Sequence, residues 1–405
     1  MKHLPVAILI IMLTATVLCP TGSSATNESI ARQLMTQLGR YGPSDPDSAE
    51  RQKALLEINS LFLNDSLGPL RILVKDMVST ALSEATGSQP SGTKAWYFWN
   101  MGYIIKAKGQ VLGFDIAELQ LSPLNWEQKK LLAENLNILF VSHVDNPHID
   151  RDIVSLMRAD SFVVCPAEDV SFFDTVLDRK CTILGIKAGD ERQVGSATVH
   201  AYPGDHAYPQ EQGGSNMRCF LVSIGGIKLL QTGDQRTVAD WMKEVAGKSL
   251  DVLMINPLWQ YNWTVEAIKM MKPSCVLPGT MYDMSHAKDT WDGYPYAYRI
   301  REDVGPEVFP MFFGEELSIQ ASSPGSIPLA LVGLVVASGL VGGSGAVLWT
   351  RRRRPNAGSP KPKRPAQLDC KKRYVPEVCV TCKHYTLKGG RIHCSKHNIR
   401  LDSEP

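Results

Sequence analysis

The sequence predicts a layered α/β domain, and three observations carry that prediction. Short apolar, partly β-branched runs recur between residues 94 and 280 and end in polar or glycine-rich turns, as buried strands do. Stretches with helical periodicity separate these runs, and such interleaving argues for strands and helices packed in layers. One run, at residues 137–150 with the sequence NILFVSHVDNPHID, ends abruptly in histidines and aspartates, which marks the domain's polar centre.

The chain has 405 residues, room for two or three domains, and its net charge of +2 gives no reason to expect nucleic-acid binding. Lys2 and His3 precede an apolar core from Leu4 to Leu18 and the small residues Ser23, Ser24 and Ala25, so residues 1–25 read as a secretory signal. Residues 26–92 are helical and amphipathic: Ile30, Leu34 and Leu38, then Leu55, Ile58, Leu61 and Phe62, recur at helical spacing. The sequence Tyr41-Gly-Pro-Ser-Asp-Pro separates a first helix from a second, and Leu70, Leu73, Met77 and Leu82 suggest a third.

From Lys94 the texture becomes strand-like, with Trp96 to Trp99 leading into Gly102-Tyr-Ile-Ile-Lys and Gln110-Val-Leu-Gly-Phe-Asp115. A helix is expected over Trp126 to Asn135 and another beginning near Asp152. Further strands are expected at Ser161 to Cys165, Cys181 to Gly185 and Ala197 onward. Gly225-Gly226 turns a hairpin from the strand at Arg218 to one ending in Gln231-Thr-Gly-Asp234. Strands at Asp251 to Asn256 and Ser274 to Thr280 complete the domain, taken as residues 93–320.

The polar centre has a readable chemistry. His143 and Asp145 are two apart and project to one side of an extended segment. With His148 they bring imidazole and carboxylate to one strand end, the donor set of a zinc-like site. A polar loop with satisfied histidines is the competing reading.

SHVDNPHID resembles the metallo-β-lactamase superfamily motif T-H-x-H-x-D-H in altered form, and the style is similar to the L-ascorbate-6-phosphate lactonase-like branch. His143 matches the first histidine and His148 the last, while Asp145 and Pro147 stand where the second histidine and the aspartate belong. Thr232-Gly233-Asp234 matches the turn carrying a bridging aspartate, and Tyr202-Pro203-Gly204-Asp205-His206 places His206 as the later histidine. His200, inside the preceding strand, reads as structural. Thr280 occupies the position of a late histidine, with His286 a substitute nearby. The resemblance implies an αββα four-layer sandwich and the metal ligands His143, Asp145, His148, His206 and Asp234. Because Pro147 and Thr280 replace two ligands, at most one firmly held ion is expected, Zn or, given two carboxylates, Mn or Fe. The reaction implied is metal-dependent hydrolysis of an ester, lactone or phosphoester, with Asp150 or Asp205 as the proton acceptor. Asp115, at a strand end, is expected to be structural at least as much as catalytic. The small-molecule substrate is not legible in the sequence. A non-catalytic pseudoenzyme, serving as a transmembrane sensor or scaffold, is the alternative.

An uncharged apolar segment from Ile327 to Trp349 is long enough to span a bilayer, and Arg351 to Arg354 follow it. The expectation is a single-pass cell-membrane protein: a transmembrane helix at 327–350, the large domain outside, and a cytoplasmic tail. Residues 351–369 form a basic, proline-rich linker suited to anionic headgroups. In the tail, 370–405, Cys379-Val-Thr-Cys382 and Cys394-Ser-Lys-His397 have tetrahedral zinc spacing across a Lys-Gly-Gly hairpin, with an iron–sulfur ligand set or redox thiols as the alternatives. That zinc knuckle is too short to fold without metal, and a cytosolic protein partner is its expected use. Cys165, Cys181, Cys219 and Cys275 fit buried thiols and disulfides equally.

Overall fold

A computed structural model of the chain describes residues 24–64, 66–87, 92–118, 121–145, 148–206, 216–257, 261–280 and 293–320, together with three short strands between 385 and 401. The chain divides into two compact units, Met1–Pro324 and Gly325–Pro405.

Three helices open the first unit: α1 (Ser24–Arg40), α2 (Ala49–Leu63) and α3 (Leu67–Thr86). The hydroxyl of Ser48 caps α2 by accepting from the Arg51 amide, and Ala54, Leu55, Ile58 and Phe62 form its buried stripe. Arg51 is itself fully buried. Its guanidinium donates to both carboxylate oxygens of Glu315, at 2.6 and 2.7 Å, and to the carbonyls of Tyr41 and Pro310. That pair ties α2 to the last strand of the unit, 264 residues away.

Strands β1 (Thr93–Tyr97), β2 (Tyr103–Ala107) and β3 (Gln110–Phe114) form an antiparallel meander. Helix α4 (Trp126–Asn135) begins with a capping box between Asn125 and Gln128, and covers the crossover to β4 (Ile138–Phe140). Helix α5 (Arg151–Leu156) leads to β5 (Phe162–Pro166), and a 3-10 turn over Ala167–Thr175 leads to β6 (Thr182–Ile186). β3 to β6 run parallel, and β13 (Glu316–Ile319) pairs with β1 at the far edge. The seven-stranded order is β13-β1-β2-β3-β4-β5-β6.

The second sheet contains β7 (Glu191–Val194), β8 (Ala197–Pro203), β9 (Arg218–Ile224), β10 (Ile227–Gln231), β11 (Val252–Ile255) and β12 (Cys275–Pro278), in the order β12-β11-β10-β9-β8-β7. β10, β11 and β12 are parallel to one another.

Side-chain alternation shows how the layers stack. In β9, Phe220 and Val222 enter the core shared with the first sheet, while Cys219 and Leu221 face a second core. β11 divides the same way, with Val252 and Met254 inward and Leu253 and Ile255 outward. The outer core is filled by α6 (Trp241–Ala246), α7 (Tyr261–Met271) and Ile300 of α8 (Gly293–Val304). Between the sheets, Phe140 stacks on Phe114 at 4.9 Å and meets Phe220 of the opposite sheet at 5.9 Å. On the outer face of the first sheet, Trp96 of β1 donates from its indole to Glu84 of α3. Two mixed sheets thus lie face to face with helices outside, the αββα arrangement that the resemblance implied.

β7 and β13 are additions to the strands expected from sequence. Three of the four residues of β7 are exposed, so it has no apolar run to reveal it. Cys165, Cys181, Cys219 and Cys275 are all free and buried, which resolves the open choice against disulfides.

In the second unit β14 (Tyr385–Lys388), β15 (Arg391–Cys394) and β16 (Ile399–Leu401) form a three-stranded antiparallel sheet, with the expected hairpin between the first two. Cys394 ends β15, whereas Cys379, Cys382 and His397 lie outside the described residues. The apolar segment 327–349 and most of the expected signal lie outside them too. Among the described residues no helix is long and apolar enough to cross a membrane.

Candidate metal centre

The polar residues of interest gather at one edge of the sandwich for a topological reason. Parallel strands end on the same side, and each of these strands releases one polar residue there. β3 is followed by Asp115 and β4 by His143; on the other sheet β8 is followed by His206, β10 by Asp234, β11 by Asn256 and β12 by Thr280. His148 arrives from the loop after β4, its amide bonded to the carbonyl of Asp145.

Two overlapping sets of donors result: His143 with His148 and Asp234, and His143 with Asp145 and His206, with the ligand atoms in each set all within 4.8 Å of one another. The His143 ring centroid lies 3.9 Å from that of His148 and 4.8 Å from that of His206. Asp234 Oδ2 is 3.3 Å from His148 Nε2 and 3.7 Å from His206 Nε2. The five ligands expected from sequence therefore meet in one place.

Proton positions follow from the neighbours. Asp115 is fully buried and accepts the Ser142 amide at Oδ1, and the Ser142 hydroxyl and His148 Nδ1–H at Oδ2, over 2.7 to 2.9 Å. A carboxylate only accepts, so the single hydroxyl proton of Ser142 is committed to Asp115. Ser142 Oγ must then accept from His143 Nδ1, 2.9 Å away. That bond leaves Nε2 of a neutral His143 bearing a lone pair, and Nε2 is buried without a hydrogen-bond partner. Burial, and then the charge of His148, hold His143 well below the ordinary imidazole range, so neutral is its state.

His148 goes the other way. Burial works against its charge, but the carboxylates of Asp234 and Asp115 outweigh burial and hold it up at about 10. Burial likewise opposes the charge on Asp234, yet His148 and the other imidazoles keep its carboxyl well below the usual range. Asp234 Oδ1 accepts from the Asn256 amide at 2.7 Å, leaving Oδ2 for the histidines. The cluster thus demands positive charge between its carboxylates, and here a proton on His148 supplies it. A divalent cation fits the same demand: a bare, buried imidazole nitrogen and carboxylate oxygens converge where it would sit.

The turn that delivers Asp234 needs its glycine. Gly233 has φ +53°, and a Cβ there would lie 2.7 Å from Ser142 Oγ. Three non-glycine residues at this edge also have positive φ: Asn100 at 51°, Asp115 at 42° and Thr280 at 52°. For a β-branched residue such as Thr280 this is an unusual backbone, and strain of this kind concentrates at functional sites.

Asp150 and Asp205 are engaged by other partners. Asp150 is the N-cap of α5: Oδ1 accepts from the amides of Asp152 and Ile153, and Oδ2 pairs with Lys129 at 2.9 Å. Asp205 adjoins His206 in sequence, is exposed, and accepts from Thr237 Oγ1 at 2.7 Å. His200 lies against Tyr202 and near Glu191. Pro147 and His286 lie outside the described residues. Sequence reasoning overlooked Ser142, Asn256 and Asn100, whose amide stands 3.4 Å from His148 Nε2. It weighed a structural role for Asp115 at least as heavily as a catalytic one, and Asp115 is the group that sets both proton positions. A polar residue ending each parallel strand was the available signal for Asp115 and Asn256.

No family model matches this sequence, and no curated protein is significantly similar to it. Among solved structures, a metallo hydrolase from the hyperthermophilic archaeon Ignicoccus hospitalis aligns with TM-score 0.47 and 14% identity, covering 57% of this chain and 99% of that one. A metallo-β-lactamase fold protein from Bacillus subtilis aligns with TM-score 0.44 and 12% identity, over 57% of this chain and all of its own. A diiron β-hydroxylase from Streptomyces venezuelae aligns with TM-score 0.44 and 14% identity, over 57% and 55% of the two chains.

Proposed function

We propose that the protein is a metal-dependent hydrolase of metallo-β-lactamase fold with a single-ion site, acting on an ester, lactone or phosphoester. The observation that carries the reading is His143 Nε2, a buried lone pair without a partner, facing two further imidazoles and two carboxylates. His143, Asp145 and His206, with Oδ2 of Asp234, would hold the ion. A divalent cation supplies Lewis-acid polarisation of the scissile carbonyl or phosphoryl oxygen. The chain's residues do the positioning: Ser142 fixes the tautomer of His143, Asp115 orients His148, and Asn256 holds Asp234. Of the two carboxylates expected to accept a proton, Asp205 is the one beside a ligand.

The arrangement of His206 after Tyr202-Pro203-Gly204-Asp205 supports placing the chain near the lactonase-like branch. The signal-like residues 1–25, the apolar span at 327–350 and the basic residues after it support an extracytoplasmic, membrane-anchored enzyme. The CxxC and CxxH pairs support a cytoplasmic zinc knuckle docking a protein partner. A second reading, a non-catalytic sensor, is favoured by Thr280 standing in strained backbone where the late histidine belongs. The full-length chain, stripped by chelator and reloaded with Zn²⁺ or Mn²⁺, separates the two when assayed against esters, lactones and phosphodiesters. Turnover that follows the metal, and is absent in Asp234→Ala, supports the hydrolase. A folded, metal-loaded chain that turns over none of them leaves the sensor.

A further inference from the structure

The turn after β1 carries a side chain to the cluster that the ligand motifs do not include. β1 and β3 each pair antiparallel with β2, so they run the same way and end at the same edge. There the turn places Asn100, buried, with its side-chain amide 3.4 Å from His148 Nε2.

Neighbours fix this turn from several sides. The Asn100 carbonyl accepts from the Tyr97 hydroxyl at 3.0 Å and from the backbone amide of Thr280. The Phe98 amide donates to the Gly102 carbonyl at 2.8 Å, closing the turn on itself. Gly279 presses so near that a Cβ there would lie 2.9 Å from the Asn100 carbonyl oxygen. Asn100 itself has φ 51°, a backbone region that asparagine, aspartate and histidine enter more readily than other side chains. Thr280, standing where the resemblance expects a late histidine, is thus the residue whose backbone holds Asn100 in place.

The spacing is that of a metal position. Two ligand atoms of one tetrahedral zinc-class ion lie about 3.4 Å apart. His148 Nε2 has Asp234 Oδ2 at 3.3 Å and the Asn100 amide at 3.4 Å. The amide therefore stands where a third ligand to a second ion would stand. Such ions take imidazole, thiolate or carboxylate, and an amide is neutral. What the amide can do is serve the ring. It turns its NH2 to a neutral imidazole or its carbonyl to a protonated one, so His148 has a partner in either state without an ion.

We propose that Asn100 sets the number of ions at this centre: its amide takes the ligand place of a second ion, partners His148 there, and so keeps the chain to one. This rests on the single-ion reading and gives it a cause in a residue outside the motifs. Asn100→Asp puts a carboxylate in the same place, with the same shape and the same tolerance of positive φ, and so completes a second ligand set with His148 and Asp234. Asn100→His is the second variant, since histidine also tolerates that backbone and supplies a ligand. Full-length wild type and both variants would be loaded with Mn²⁺, which suits imidazole and carboxylate donors and not the thiolates of the tail. Bound metal is counted by mass spectrometry, electron paramagnetic resonance reports whether ions are adjacent, and circular dichroism establishes folding. The wild type should hold about one equivalent with the signal of isolated ions. The variants should hold about two, with the signal of an exchange-coupled pair, because ions sharing one carboxylate lie about 3.5–4 Å apart. One uncoupled equivalent in whichever variant folds overturns the proposal and leaves the single-ion hydrolase standing. A coupled pair in the wild type, or no ion in any of the three, overturns both.

Discussion

Replacing Ser142 by alanine tests the proton chain that would make His143 a ligand. The substitution removes one hydroxyl, the acceptor for His143 Nδ1–H, and keeps the Cβ against which Gly233 packs. Asp115 retains the Ser142 amide and His148 as donors, so no new carboxylate orphan arises. His143 is left with a buried N–H that has lost its acceptor, which costs about 1–3 kcal/mol if the proton stays on Nδ1. In the metal-free protein the proton can move to Nε2, but that atom is also buried without a hydrogen-bond partner, so folding stability should fall by a similar amount. Metal binding must then drive the proton back. Loss of such an orienting partner costs about 10–100-fold in metal affinity, or about 1.4–2.7 kcal/mol. The assay is chelator competition for Zn²⁺ on wild-type and Ser142→Ala chains, with thermal unfolding of the metal-free proteins alongside and imidazole ¹⁵N shifts to read the tautomer. Affinity unchanged within about twofold, with His143 still protonated on Nδ1, would refute the reasoning.

Other outcomes follow from the same geometry. Gly233→Ala forces a positive φ on a residue with a Cβ and drives that Cβ onto Ser142, so it should destabilise the fold by about 2–4 kcal/mol in denaturant titration and weaken metal binding as well. Glu315→Ala leaves the Arg51 guanidinium buried and without its carboxylate, and should cost about 3–5 kcal/mol, lowering the unfolding midpoint without altering metal affinity. Burial pushes the Cys165 and Cys275 thiols up to about 12 and raises Cys181 and Cys219 as well. Iodoacetamide at neutral pH should therefore leave all four unmodified in the native state and label them once guanidinium unfolds the chain; labelling of the native protein would show that they are not buried.

Much of the fold was legible because its strands are short apolar runs closed by conspicuous turns. The run at Ile138 to Phe140, the Gly225-Gly226 hairpin and the helix over Trp126–Asn135 all stand where local pattern puts them. β13 was not legible, because Glu316–Ile319 becomes a strand only by pairing with β1, more than two hundred residues earlier. Arg51 shows the same limit: inside an amphipathic helix it reads as a surface charge, and only Glu315 makes its burial tolerable. The candidate ligands could be picked out because imidazoles and carboxylates near strand ends are chemically distinctive. The groups that orient them were less legible: Ser142 is an ordinary residue until strand order brings the ends together, and Asp115 and Asn256 are marked only by ending parallel strands. Asp150 illustrates the reverse case, a carboxylate near the motif whose local duty is to cap a helix and pair with Lys129.

The central claim is that His143, Asp145, His206 and Asp234 hold a metal ion, and its most direct test is metal content. Full-length wild-type chain and Asp234→Ala would be purified in parallel and their metals counted by mass spectrometry, with circular dichroism to establish that both are folded. The tail is the same in both chains, so the difference reports the cluster around Asp234 alone. The account predicts that Asp234→Ala carries about one equivalent less than wild type. Equal metal content in two folded proteins would contradict it.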